Sequence, residues 1–297
     1  MSAFPKQIRE LFDLDGSPRS LQDCTIGEKS DLWFFDEAVV QLKPGCLLPR
    51  FIAIQEVAEG MQIPGIGFSN MAIQNGDEFS LELSLESTCD WLWLKQPYIP
   101  GTYAHVGIKG ISPKDIMYRQ SEALADVCGI LSRLAAQPIP ELLTSSPLPD
   151  SLLRKTLSNH ELAKYAGQEL AMPESFILPE EPSSEIVLSH GDPTIKNTII
   201  RTGGSVLIDW EFMHPLPRHY DLTHIAAYLC RWLPHPYWEQ ASSLVWSAAR
   251  HLLGQWSKDD CDQAMYWALI RGAVIAYDRP DDTVRDYWQG MHKMLNF

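Results

Sequence analysis

The sequence predicts an α+β chain, with strands in its first third and helices gathered toward its end. Three observations lead there. Ala38-Val39-Val40-Gln41-Leu42-Lys43 is a β-branched run, and Phe79 to Glu86 alternates strictly between apolar and polar residues, the period of a half-buried strand. Within residues 113–136, Leu124, Val127, Leu131 and Leu134 recur at three and four positions, the period of a helix with one buried face, and Pro138 stops it. Late in the chain, Thr198-Ile199-Ile200 and Val206-Leu207-Ile208 flank Gly203-Gly204, the pattern of a tight hairpin with β-branched arms.

In chain order, residues 5–13 read as a short helix with Ile8, Leu11 and Phe12 on one side. Leu21 to Ile26 reads as a first strand, followed by the polar turn Gly27-Glu28-Lys29-Ser30-Asp31 and by Leu32-Trp33-Phe34-Phe35. The strand Ala38 to Lys43 ends in a lysine. Pro49 opens a helix to about Glu59, since proline suits a first helical turn; Phe51, Ile54 and Ala58 mark its buried face and Glu56 stands to one side. The alternating strand 79–86 is expected to pair with Trp91-Leu92-Trp93-Leu94. Lys95 to Gly101, with two prolines, reads as a linker, which puts a boundary near residue 98 and divides the chain into 1–98 and 99–297. Residues 150–168 read as a further helix, and a proline-containing stretch over 173–184 leads into Ile186-Val187-Leu188, a short buried strand. Pro215 and Pro217 keep the chain extended. Asp221 opens a helix through Trp232, and helical segments follow at 236–255, 258–277 and 281–295.

A chain of 297 residues with 45% apolar residues is long enough for one large domain or two lobes with a sizeable core. Its net charge of −14 argues against nucleic acid and anionic membranes as partners. That charge is spread, −9 over 1–150 and −5 over 151–297, and reads as a solubility feature. No run of 18 apolar residues is present, so no membrane span is expected, and the first residues lack the apolar core of a signal peptide. The six cysteines (24, 46, 89, 128, 230 and 261) form no Cys-x-x-Cys pair and no zinc pattern. Cys128 and Cys230 lie in apolar helical runs and read as core residues. Reduced thiols in a cytoplasmic protein are the expectation.

The chemistry is concentrated in Ser189-His190-Gly191-Asp192-Pro193-Thr194-Ile195-Lys196-Asn197 and in Val206-Leu207-Ile208-Asp209-Trp210-Glu211. Asn197 follows Asp192 by five positions and Asp209 follows Asn197 by twelve. A hairpin after Asn197 would bring Asp192, Asn197 and Asp209 to one end of a small sheet. Phosphoryl transfer from a nucleotide needs such a trio: one carboxylate to accept a hydroxyl proton, an amide oxygen and a second carboxylate to hold magnesium against the phosphates. Asp192 is then the base, or the group that orients the acceptor hydroxyl, and Asn197 and Asp209 are the metal ligands. Glu211 either points toward the acceptor or metal or forms a salt bridge with Lys196 or Arg218. Lys196 either neutralises phosphate charge or is a solvated surface lysine.

His190-Gly191-Asp192 with Asn197, then Ile208-Asp209-Trp210-Glu211, then Tyr220-Asp221-Leu222 resembles the aminoglycoside phosphotransferase and choline kinase superfamily. The resemblance implies a protein-kinase-like two-lobe fold, with a mainly β N-terminal nucleotide-binding lobe over 1–98 and a mainly α C-terminal lobe over 99–297 that carries catalysis and the acceptor. It implies transfer of the γ-phosphoryl group of ATP or GTP to the hydroxyl of a small-molecule alcohol, with Mg2+. By the same resemblance Lys43 matches the strand lysine that pairs with nucleotide phosphates, and the turn at Gly27 matches the phosphate-covering hairpin, with one glycine in place of three. Segment 95–101 matches the stretch that meets the adenine edge. Glu56, or Glu59, is the candidate partner of Lys43; relatives carry that glutamate earlier in the helix, where this chain has Arg50 and Phe51. His190 matches a residue that buttresses the loop, and Asp221 one that braces it.

Acceptor choice would lie with the C-terminal helices. There Trp238, Trp246, Trp256, Trp267 and Trp288, with Asp278, Asp281, Asp282 and Asp286, either pack and cap helices or form a pocket suited to a cationic acceptor. Two rival readings differ in class. The single-glycine turn and displaced glutamate would fit a nucleotide-binding pseudokinase acting as a scaffold. A protein kinase is disfavoured by the lack of an Ala-Pro-Glu segment and by the twelve positions between Asp209 and Asp221.

Overall fold

The computed structural model describes residues 4–20, 32–63, 65–104, 112–146, 183–233, 237–254, 256–257, 259–261 and 263–264. The chain divides into two compact units, residues 1–101 with 140–147, and residues 102–139 with 148–297. The expected strand Leu21 to Ile26, the Gly27 turn and the helices at 150–168 and 281–295 lie outside the described residues, as does most of 258–277.

The first unit is a six-stranded antiparallel sheet with helices packed on it. Its strands are β1 (Arg19–Ser20), β2 (Leu32–Phe34), β3 (Ala38–Pro44), β4 (Asn70–Asn75), β5 (Glu78–Ser80) and β6 (Trp91–Pro97), in the order β1-β2-β3-β6-β4-β5. Helix α1 (Lys6–Leu11) lays Ile8 and Phe12, both fully buried, against Ala38, Val40, Ala72 and Trp93 of the sheet. The ring of Phe4 closes that core edge-on against Trp33, Phe35 and Trp93 at 5.2–5.7 Å. Strand alternation places Ala38, Val40 and Leu42 on this face of β3, and hence Lys43 on the other. Helix α2 (Leu48–Met61) has Pro49 in its first turn and buries Phe51, Ile54, Val57 and Ala58. A short helix α4 (Glu141–Ser145), contributed from later in the chain, packs against it.

The structure corrects the reading of 79–94. Only Glu78–Ser80 is strand, at the sheet edge, and Leu81 and Leu85 are exposed. Serine side chains there compete with the ladder for backbone groups: Ser80 Oγ accepts from Glu82 N at 3.0 Å and Ser87 Oγ from Ser84 N at 3.1 Å. Strand β6 pairs with β3 and β4 rather than with β5, and it runs to Pro97, absorbing three residues of the expected linker. Strand β4 had no alternating signal, because Ala72 and Ile73 are adjacent and both buried.

The second unit is built on helix α3 (Pro113–Ala135), capped at its start by Ser112, whose Oγ accepts from Asp115 N at 3.3 Å. Leu124, Val127, Leu131 and Leu134 are all buried, as their spacing predicts. Helix α5 (Tyr220–Trp232) packs on α6 (Trp238–Leu253), and α6 on α3. Two small sheets complete the unit. Strand β9 (Thr198–Arg201) lies between β7 (Thr102–Tyr103) and β10 (Gly204–Leu207); β8 (Ile186–Ser189) pairs with β11 (His214–Pro217), which holds the two prolines the sequence leaves extended. The hairpin turns on Thr202-Gly203, with Gly204 opposite Arg201. Among the described residues no helix is long and apolar enough to cross a membrane.

Candidate active site

The site lies in the second unit, on the segment between β8 and β9 and on the end of β10. Strand β8 delivers Ser189 and a fully buried His190. The chain then turns at Gly191, with φ of +82°. A Cβ there would stand 2.3 Å from the carbonyl oxygen of Phe212, so both the backbone angle and the close approach require glycine. The next residues fold on themselves: Thr194 N donates to Asp192 O at 2.8 Å, a 3-10 turn spans Ile195–Asn197, and Asn197 N donates to Thr194 O at 2.9 Å.

Three buried groups hold this loop. The Asp221 carboxylate, 3% exposed, accepts from His190 N at 2.7 Å and Gly191 N at 2.9 Å, so it satisfies two backbone donors that would otherwise be orphaned. Asp221 lies in the first turn of the helix Tyr220–Trp232 and at the same time holds the loop's backbone through these two bonds. His190 Nε2 lies 3.1 Å from Ile208 O, and its Nδ1 accepts from Asp192 N at 3.3 Å. A carbonyl only accepts and a backbone N–H only donates, so the ring is held as the Nε2-H tautomer. Trp210 packs beside it, ring centroids 4.4 Å apart. His190 is therefore a buttress between loop and hairpin.

Asn197 ties the loop to Asp192. Its Nδ2 donates to Asp192 O at 2.9 Å and to Asp192 Oδ2 at 3.1 Å, so the amide nitrogen is committed and Oδ1 is the atom left to meet a cation. Ile208 N donates to Asn197 O at 2.9 Å, which sets the following residue, Asp209, beside Asn197 at the same end of the β9–β10 hairpin. Asp209 has φ of +65° and ψ of +60°, an uncommon left-handed conformation for a residue other than glycine. Asn197 and Asp209 thus stand at the same end of the hairpin, and Asn197 reaches back to Asp192. Their donors, an amide oxygen and carboxylates, suit a hard cation such as Mg2+. Among the described residues no cluster of three His, Cys, Asp or Glu side chains is placed to hold a metal.

The remaining residues are placed as follows. Arg218 pairs with Glu185, Nε to Oε2 at 3.2 Å. Glu211 is half-buried in the 3-10 turn after Asp209. Lys196 Nζ stands 5.9 Å from the ring centre of Tyr228. In the first unit Lys43 is buried on β3. Glu56 is exposed on α2, Glu59 is exposed and accepts from Gln55, and no ion pair of Glu56 occurs among the described residues. The inward position on that helix belongs to Arg50, fully buried. Gly27, Trp267, Trp288 and Asp278 to Asp286 lie outside the described residues. Trp246 is buried and donates to Ser242 Oγ at 2.9 Å, and Trp256 packs on His219, so these two are packing residues.

One residue escaped the sequence reading. His224 Nε2 lies 2.7 Å from Asp192 Oδ1, and both side chains are about a quarter exposed. The available signal was helical spacing. Asp221 opens α5, so position 224, one turn on, shares its face. Nearby, His219 is fully buried, and desolvation lowers its pKa to about 4. Burial likewise pushes the Cys128 thiol up to about 12, consistent with an inert core residue.

Residues 80–250 match APH, the phosphotransferase enzyme family. The chain belongs to that family. The match spans more than half of the sequence and contains the Asp192 loop, the Asp209 hairpin and α5; Lys43 and Glu56 fall before it. No curated protein matches the sequence. Solved structures share the fold at low identity. Spectinomycin phosphotransferase APH(9)-Ia, in complex with ADP and spectinomycin, is 13% identical with a TM-score of 0.54, covering 99% of this chain and 95% of its own. The choline kinase LicA from Streptococcus pneumoniae is 11% identical with a TM-score of 0.54, covering 98% and 97%. The amicoumacin kinase hAmiN, in complex with AMP-PNP, Ca2+ and Ami, is 9% identical with a TM-score of 0.55, covering 98% and 94%. These neighbours establish for the APH chain an α+β, protein-kinase-like fold with an N-terminal antiparallel sheet and C-terminal helices.

Proposed function

We propose that this APH-family protein transfers the γ-phosphoryl group of ATP or GTP to an alcohol hydroxyl of a small molecule. The observation that carries the reading is the convergence on one loop: Asn197 donates to the Asp192 carboxylate while its backbone carbonyl accepts from Ile208 N, next to Asp209. Asp192 takes the hydroxyl proton, or aligns the hydroxyl, as the acceptor oxygen forms its bond to phosphorus and the nucleoside diphosphate departs. Little basicity is needed when the transition state is loose, so position matters more than pKa. Asn197 Oδ1 and the Asp209 carboxylate would hold Mg2+, which supplies charge neutralisation at the phosphates. His190 and Asp221 keep the loop in place. Lys196, at the loop's end, is assigned to phosphate charge, as is Lys43 on β3. Residues 1–98 are assigned to the nucleotide and 99–297 to catalysis and acceptor, in a cytoplasmic enzyme.

Spectinomycin and choline, for which two of the structural neighbours are named, are small alcohols, and they define the panel to try. Turnover of Mg2+–ATP and Mg2+–GTP over aminocyclitols, amino sugars and quaternary-ammonium alcohols tests the reading. Phosphorylated acceptor, lost by roughly 100-fold or more in Asp192→Ala, is expected. Nucleotide binding without turnover of any acceptor would instead support the pseudokinase scaffold.

A further inference from the structure

We propose that His224 is a positioning residue for Asp192, fixing which carboxylate oxygen meets the acceptor hydroxyl. The inference rests on the assignment of Asp192 as the group that receives that hydroxyl. A carboxylate turns easily about its last torsion, because sp3–sp2 torsions are broad. One hydrogen bond of 3.1 Å from Asn197 to Oδ2 does not fix its plane; a second donor on the other oxygen does. His224 Nε2 is that donor, 2.7 Å from Oδ1, and it comes from a different element of the fold.

Helix α5 is built to hold this contact. Tyr220, one turn before His224, stacks on it nearly parallel, centroids 6.0 Å apart and planes 6° apart, which restrains the imidazole. Tyr228, one turn after, lies under the Lys196 ammonium of the same loop. Asp221, also on α5, accepts the loop's backbone N–H groups. A single helix thus grips the loop at its entry, at its carboxylate and near its end. The pair is also not an interior polar contact. At 25% and 22% side-chain exposure, His224 and Asp192 both reach the surface, where a small-molecule hydroxyl arrives. A misplacement of about 1 Å in such a group costs roughly 100-fold in rate.

The test compares His224→Leu, which removes the donor, with His224→Gln, whose amide can still donate, and with Asp192→Ala. The assay uses Mg2+–ATP and the alcohol that the wild type turns over fastest. Expected are a kcat for His224→Leu lowered roughly 10- to 100-fold, a nucleotide KM within about twofold of wild type, and recovery of most of the rate in His224→Gln. If His224→Leu does not fold by circular dichroism, His224→Asn, whose shorter amide falls short of Asp192, takes its place with the same expected loss. A folded donor-less variant with wild-type kcat, beside an inactive Asp192→Ala, overturns the role of His224 and leaves the base in place. An active Asp192→Ala, or no turnover by the wild type, overturns the base assignment and this inference with it. Nitrogen-15 NMR of the imidazoles gives a readout without turnover. The His224 Nε2 signal should move in Asp192→Ala while that of His219 does not; an unmoved His224 signal contradicts the contact.

Discussion

The first and second units bury charge in opposite ways. Around β3 and α2, the buried charged residues are cations, Lys43 and Arg50, and the acids Glu56 and Glu59 face outward. In the loop between β8 and β9 and its supports, the buried polar groups are acceptors and neutral rings: Asp221, Asn197 and His190, with Asp192 half-buried beside them. A buried ionised or polar group costs several kcal/mol unless paired, so each of these groups depends on the partners its region supplies. In the second unit, helix α5 supplies both the carboxylate that holds the loop's backbone, Asp221, and the imidazole beside Asp192, His224.

That contrast breaks most sharply at Asp221. Replacing it with alanine leaves the N–H groups of His190 and Gly191 buried without their acceptor. The expected loss is about 3 kcal/mol or more in urea unfolding, with kcat falling as the loop loosens. An exposed acid of the first unit should show nothing comparable; a loss under about 1 kcal/mol at Asp221 would remove its bracing role.

Acid should separate the regions next. The unfolded chain protonates His219 near pH 6.5, whereas the folded chain holds it neutral down to about 4 because of burial. Between those values the unfolded state binds the extra proton, so stability rises with pH across the window and is complete above about 6.5. At pH 5 the deficit is about 2 kcal/mol relative to pH 7. Denaturant titrations at both values should show it, and His219→Phe should flatten it; an equal slope in the variant would assign the loss to other groups.

Gly191→Ala should come next, at about 2 kcal/mol, since the new Cβ meets a backbone oxygen at 2.3 Å and φ is +82°. The drop should appear as a lowered unfolding midpoint at unchanged m-value. The smallest effect belongs to Glu56→Ala. The side chain is exposed and unpaired among the described residues, so stability should stay within about 0.5 kcal/mol and nucleotide affinity within about twofold. A tenfold loss of affinity would show that Glu56 engages Lys43 when nucleotide binds, as the kinase resemblance implies.

How much of this was legible depends on range along the chain. Helix α3 and the β9–β10 hairpin follow from local periodicity and turn residues, and the same hairpin accounts for the pairing of Ile208 with Asn197 that precedes Asp209. Pairing across long separations could not be read this way. Strand β6 joins β3 and β4 over the heads of nearer candidates, and the alternation at 79–86 had no sheet face to fill once serine side chains took its backbone groups. His224 was missed for the same reason: 32 residues separate it from Asp192, and only the helical turn after Asp221 pointed inward. Glu56 shows the converse limit. A glutamate on the expected helix matched the motif, but the register of α2 put Arg50 inside and Glu56 outside.

In the proposed reaction Asn197 and Asp209 would hold one divalent ion against a nucleotide's phosphates. Isothermal titration of ATP and GTP, with Mg2+ and with EDTA, measures it directly in the wild type and in Asp209→Asn. Expected are binding of one nucleotide that tightens at least about tenfold with Mg2+, and loss of that dependence in the variant. Equal affinity with and without Mg2+ in the wild type, or an unchanged Mg2+ dependence in Asp209→Asn, would contradict it.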